Sequence, residues 1–206
     1  MPQFPSQSSA SDIWSLTDVS RAIQGQNWPV MTAFESIATT TVGAGGTSTI
    51  TFSSIPNGYK HLQIRGIARA DVSGSASQAQ LQINGDTSLS SYAFHSIVSS
   101  GTAVASYGYP TGILPSMSPV LRGTGNTNTA NAFGVTIFDI LDYASTTKNK
   151  TVRTLTGYSS SATGEVQHNS GVWLSNSAVT SLTISWQDTS QKFMQYSQFA
   201  LYGIKG

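Results

Sequence analysis

The groups that most often do chemistry are few here and badly spaced for it. There are three histidines, His61, His95 and His168, nine acidic side chains and no cysteine. No His-x-His or His-x-x-x-His pair is present, so no metal site is expected. Asp139 and Asp142 are the closest acids within a predicted strand. At odd spacing they face opposite sides, whereas glycoside hydrolysis needs two carboxylates facing one cleft about 5–10 Å apart. Asp139, inside an apolar strand, reads instead as a hydrogen-bonded buried acid or as the inter-subunit partner of an arginine. No Gly-x-Ser-x-Gly elbow occurs. Gly43–Gly46 falls between strands rather than opening a helix, so it is no phosphate cradle. The lack of cysteine excludes disulfides, thiolate metal sites and a thiol nucleophile. With no nucleophile, base and orienting group together, no catalytic residue and no cofactor is expected.

Aromatic side chains are the remaining candidates. Tyr92, Tyr107, Tyr109, Tyr158 and Trp173 fall in or beside predicted loops rich in Asn, Gln and Ser. A sugar ring can lay its apolar C–H face on such rings, which makes these five the candidate glycan-binding residues; packing is the alternative use of each. Bases stack on aromatics too. However, ten basic and nine acidic residues give a net charge of +1, so there is no basic groove for nucleic acid. Charged residues make up 9% of the 206, against roughly 25% in average domains. So few charges leave strand edges poorly guarded against pairing and suit a chain that packs against copies of itself or other proteins.

The elements that would position these residues are strands. Thr47–Arg69 reads as two strands joined through Pro56-Asn57-Gly58, a hairpin turn signal. Ile50 and Phe52 share one face. After the turn, Leu62, Ile64, Gly66 and Ala68 lie opposite His61, Gln63, Arg65 and Arg69, the alternation of a sheet with one buried and one wet side. Residues 31–42 form an earlier strand. Gln80–Ile83, closed by Asn84-Gly85-Asp86, and Ser91–Ser99 follow, with an edge strand expected near Met117–Leu121. Gly123–Asn131 reads as a surface loop with no core residue. Ala132–Tyr143 is apolar on both faces, as in a central strand covered on both sides; the second cover would be the N-terminal helix or another subunit. Lys148–Ser159 should pair with it. Glu165–Leu174, Ser181–Trp186 and Gln195–Lys205 complete ten to twelve strands, the pattern of an all-β antiparallel sandwich, jelly-roll-like, over residues 31–206.

Residues 1–30 form a separate arm. In Ser11–Pro29 the period changes: Leu16, Val19 and Ile23 make one stripe of a short helix. Ser15 is its expected N-cap and Trp14 with Val19 a hydrophobic staple; Gly25 stops it. Two turns do not stand alone in water, so the segment must dock, on its own β-domain or on a different protein. Trp14, Leu16, Val19, Ile23 and Trp28 are the docking candidates. The opening residues lack the basic and apolar regions of a signal peptide, and no stretch of about eighteen apolar residues is present to insert in a membrane.

The segment SDIWSLTDVSRAIQGQNWP resembles the N-terminal anchor of tailed-bacteriophage structural proteins. ITFSSIPNGYKHLQIRGIAR and LQINGDTSLSSYAFH resemble the β-domains of minor virion proteins and tail fibres of such phages, and FALYGIKG is similar to their closing strand. The resemblance implies a virion component made in the host cytoplasm, often a homotrimer, anchored to other virion proteins by its N-terminus and displaying a β-sandwich outward. The expected function is that of a non-enzymatic tail-fibre or receptor-binding component touching a host-surface glycan. The alternatives are a capsid decoration or head-fibre protein, a free lectin-like carbohydrate-binding module, and a glycan-degrading enzyme.

Overall fold

The computed structural model describes residues 33–74, 76–160 and 163–206, together with Thr17 and Ser20. The chain divides into two units, Met1–Thr32 and Ala33–Gly206. The second carries twelve strands among its described residues: β1 (Phe34–Thr41), β2 (Thr49–Phe52), β3 (His61–Ala68), β4 (Ala76–Ile83), β5 (Tyr92–Ser100), β6 (Ala103–Tyr109), β7 (Met117–Thr124), β8 (Gly134–Leu141), β9 (Lys150–Ser159), β10 (Gly164–Trp173), β11 (Leu182–Trp186) and β12 (Gln198–Ile204). They form two antiparallel sheets, an eight-stranded one in the order β1-β12-β3-β8-β9-β10-β5-β6 and a four-stranded one in the order β2-β11-β4-β7. This is the all-β sandwich expected from the alternating pattern.

The core lies between the sheets. Leu62, Ile64, Phe138, Ile140, Phe199 and Leu201 come from the large sheet, and Ile50, Leu81, Ile83, Leu182, Ile184 and Trp186 from the small one. Each sits at every second position of its strand, so one face of each sheet is removed from water. Trp186 packs on Phe193 with centroids 4.7 Å apart, and Phe193 meets Phe199 edge-on at 5.5 Å.

The expected hairpin from Thr47 to Arg69 does not form. β2 pairs with β11 in the small sheet, while β3 pairs with β12 and β8 in the large one. Pro56-Asn57-Gly58 lets the chain cross from one sheet to the other. A turn signal fixes a reversal of direction, not the sheet in which the next strand finds its partner. The β8–β9 pairing is as expected.

β7 occupies an edge of the small sheet, yet its free backbone groups are not left to solvent. It lies against β8, β9 and β10. Thr156 Oγ1 accepts the Arg122 N–H at 2.7 Å, Thr136 donates to the Val120 carbonyl at 2.6 Å, and Asn169 Nδ2 donates to the Pro119 carbonyl at 2.9 Å. Inward polar side chains of one sheet thus satisfy the edge strand of the other. The close approach needs Gly134, where a Cβ would stand 1.8 Å from the Arg122 carbonyl oxygen.

Two further expectations fail. Arg69 does not share the wet face of β3. It is buried, and its guanidinium donates to the carbonyls of Asn126, Asn128, Thr129 and Ala132 at 2.7–3.1 Å. Nor is residues 123–131 a loop without core residues: Gly123 and Thr124 belong to β7, both are buried, and Arg69 holds the turn that follows.

Candidate functional site

Two surfaces of the sandwich could do something. The first is the outer face of the large sheet. Ile67, Val135, Ile137, Leu155, Val166 and Ile97 point away from the core and are 39–59% exposed. Register places them in neighbouring rows. Arg65, Ile137, Leu155, His168 and Ile97 are successive partners across β3, β8, β9, β10 and β5; Ile67, Val135, Gly157 and Val166 make the next row. Several polar groups beside them are bonded to one another within the face. Gln63 Nε2 donates to Asp139 Oδ1 at 2.7 Å, Arg153 Nη2 reaches Asp139 Oδ2 at 3.2 Å, and Arg65 Nε donates to Gln63 Oε1 at 2.8 Å. Asp139 is therefore neither fully buried nor in need of another subunit's arginine: its partners are in its own chain. The expected second cover of β8 is not present among the described residues, since Val135, Ile137 and Leu141 face outward and exposed.

The second surface is a cleft. The large sheet has twice as many strands as the small one, so β7 marks the end of the roof over it. Beyond β7 the inner face of β5 and β6 opens into a cavity of about 450 Å³, within the ~300–1,000 Å³ of small-molecule sites. Its floor is Phe94, Ser96 and Val98 on β5, Tyr107 and Tyr109 on β6, and Glu165 and Gln167 on β10. Leu114, Ser118, Pro119 and Arg122 form the opposite wall, with Gln78 and Gln187 at the rim. Tyr109 stacks on Phe94, centroids 4.8 Å apart and planes 25° from parallel. Arg122 grips Glu165 through Nη2 to Oε2 at 2.8 Å and Nε to Oε1 at 2.7 Å. This pair holds all the formal charge lining the cleft, so the lining is electrically neutral. Gln167 is buried and donates its amide to Ser96 Oγ.

The aromatic candidates separate cleanly. Tyr107 and Tyr109 line the cleft. Tyr158 lies on β9, half-buried, paired in register with Glu165. Tyr92 and Trp173 are corrected: they are strand residues, 2% and 3% exposed, and part of the core. Tyr92 accepts the Ile83 N–H at 3.1 Å and donates to the Asp86 carbonyl at 3.0 Å, and Trp173 Nε1 donates to Asp86 Oδ2 at 2.7 Å. Burial pushes the Tyr92 hydroxyl up to about 12. These two close the Asn84-Gly85-Asp86 turn onto the sandwich, and no ligand can stack on them. Sequence missed Gln167, Ser118 and the Arg122–Glu165 pair; nothing in their spacing marks them, because two strands far apart in the chain, β7 and β10, bring them together.

Trp14, Leu16, Val19, Ile23 and Trp28 lie outside the described residues; Thr17 and Ser20, between them, have helical backbone and are exposed. His61 lies apart from the other two histidines: its Nδ1 accepts the Asp142 N–H at 3.0 Å. His95 and His168 face outward on paired strands. Among the described residues no three His, Asp or Glu side chains come together as metal ligands, and no helix is long and apolar enough to cross a membrane.

Comparison with protein-family models, with curated proteins and with solved structures finds no match to this chain.

Proposed function

We propose that this chain is a non-enzymatic structural component of a tailed-bacteriophage virion, of the tail-fibre or receptor-binding kind. It docks on other virion proteins through residues 1–30, assembles with copies of itself and displays the sandwich outward. The resemblance of SDIWSLTDVSRAIQGQNWP and FALYGIKG to phage structural proteins supports the virion setting. The observation that carries the assembly is the outer face of the large sheet, where six aliphatic side chains from five strands lie exposed side by side. Monomers rarely expose apolar patches beyond a few hundred Å².

The occupant proposed for that face is a second copy of the chain, in a homotrimer as the resemblance implies. Eight strands at ~4.8 Å spacing, each about eight residues long at ~3.3 Å rise, give a face of roughly 900 Å². A standard interface takes about 800 Å² from each partner. On the face Arg153 is paired with Asp139, and Arg65, bonded to the neutral Gln63, is the charge left for the facing surface to meet.

The test is incorporation. Particles assembled with the full chain should carry it, as gold labelling on intact particles would show, and a chain lacking residues 1–30 should stay soluble and be left out. Normal incorporation of the shortened chain would overturn the docking half of the reading; absence of the full chain from particles would overturn the whole. The cleft favours a receptor-binding component over a capsid decoration, which has no need of one.

A further inference from the structure

The cleft carries more than a shape. Ser118 and Gln167 line it, both residues are at least nine-tenths buried, and among the described residues neither Ser118 Oγ nor Gln167 Oε1 has a hydrogen-bond partner. Each of these oxygens has less than 1 Å² of exposed surface, so a ligand in the cleft meets it by turning the side chain towards itself. Leaving a buried polar atom unpaired is costly to the fold, so such atoms gathered at one cavity point to a ligand that completes them. An amide oxygen accepts, and a serine hydroxyl both donates and accepts. Together they match a ligand with adjacent hydroxyl groups.

The remaining walls narrow the class. Tyr107 is about half exposed at the mouth, and Tyr109 is held flat by its stack on Phe94. They offer a platform for an apolar ring face. Arg122 has two of its nitrogens committed to Glu165, which leaves no net charge to attract a phosphate, sulfate or carboxylate. Nucleotides are disfavoured on that ground although their bases could stack. A ring with one apolar face and a hydroxylated edge, and no charge, is what these walls fit.

We infer that the cleft between β5, β6, β10 and β7 binds an uncharged carbohydrate, with Tyr107 and Tyr109 under the ring face and Gln167 and Ser118 on its hydroxyls. This rests on the receptor-binding part of the proposed function and names the ligand class of that site.

Saturation-transfer NMR on the full chain tests it, using the methyl glycosides of glucose, galactose, mannose and N-acetylglucosamine, with N-acetylneuraminic acid and uridine monophosphate as charged and base-bearing comparators. At least one neutral glycoside should show transfer to its ring C–H protons. Tyr107→Ala and Gln167→Leu should each weaken that binding about tenfold or more, the worth of one buried contact. Ser118→Ala should melt no lower than the parent, because it removes an atom the fold leaves unpaired; a purely structural role for Ser118 would lower its midpoint. Gln167→Leu also gives up the amide's bond to Ser96 Oγ and should melt lower, so its binding is read at a temperature where it is folded. Tyr107→Ala, at an exposed position, keeps the test valid should Gln167→Leu fail to fold. The inference is overturned if no neutral glycoside binds, if a comparator binds better than all four, or if Tyr107→Ala binds as the parent does. A chain that enters particles but takes no saccharide loses this inference alone; one that binds saccharide but never enters particles loses the virion reading alone.

Discussion

Thr156 stands where the two sheets meet: its Oγ1 accepts the backbone N–H of Arg122 at 2.7 Å and donates to the Val135 carbonyl at 2.8 Å. One hydroxyl therefore stitches β7 to the large sheet and fixes the strand from which Arg122 reaches Glu165 in the cleft. Thr156→Val keeps the shape and removes both bonds. The Arg122 N–H is then buried without a partner, at an expected cost of about 1–3 kcal/mol. Urea unfolding should show a lower midpoint with an unchanged slope.

Gly134 should tolerate no side chain at all. A Cβ there would meet the Arg122 carbonyl oxygen at 1.8 Å and the Gly123 Cα at 2.7 Å, and backbone cannot swing aside as a side chain can. Gly134→Ala should cost at least the ~1–3 kcal/mol of overpacking, seen as a fall in thermal midpoint.

Arg69 makes the turn after β7 part of the core. Its head group replaces water for four carbonyls between Asn126 and Ala132. Arg69→Met keeps the apolar stem and loses the bonds. Stability should drop by at least ~1.5–3 kcal/mol, the worth of one bond to a charged donor. Hydrogen exchange should speed up first in residues 126–132 if the guanidinium orders that turn.

The stability should also fall below about pH 4 for an assignable reason. Asp142 is held down to about 2 by hydrogen bonds from Lys148 and then Lys60, whose nitrogens stand 2.7 and 3.0 Å from its oxygens. An unfolded aspartate titrates near ~3.9, so below that the unfolded chain takes up the proton first. The contribution is complete above about pH 4 and is lost as the pH falls towards 2. Asp142→Asn should flatten this part of the pH–stability curve. Asparagine also accepts the positive φ of 48° found there.

Much of the scaffold was legible because alternation on β3 and β11 follows directly from one side being dry. The failures have physical causes. β2 and β3 looked like a hairpin because adjacency in the chain is visible, whereas pairing with β11 and β12 is not. β9 and β10 turn Thr154, Thr156, Gln167 and Asn169 inward, polar side chains that a hydrophobic pattern assigns to solvent. They are inside to serve the edge of β7 and the floor of the cleft. Tyr92 and Trp173 looked like loop aromatics because Asn84-Gly85-Asp86 and Ser175–Ser177 flank them, but each begins or ends a buried strand. The cleft itself was half readable: aromatics near 107–109 were visible as a platform, while the unpaired amide and hydroxyl opposite them exist only in three dimensions.

The outer face of the large sheet is where the account stands most exposed. Light scattering on the full chain and on the double variant Leu155→Glu, Val166→Glu tests it directly, since both side chains are already in solvent in a single copy and neither change should unfold the sandwich. The account predicts a parent mass of several chains and a variant that runs as one chain with its melting midpoint no lower than that of a dissociated parent. A parent that stays a single chain at ~100 μM, well above the micromolar dissociation constants of specific interfaces, would contradict it, as would a variant with the parent's mass.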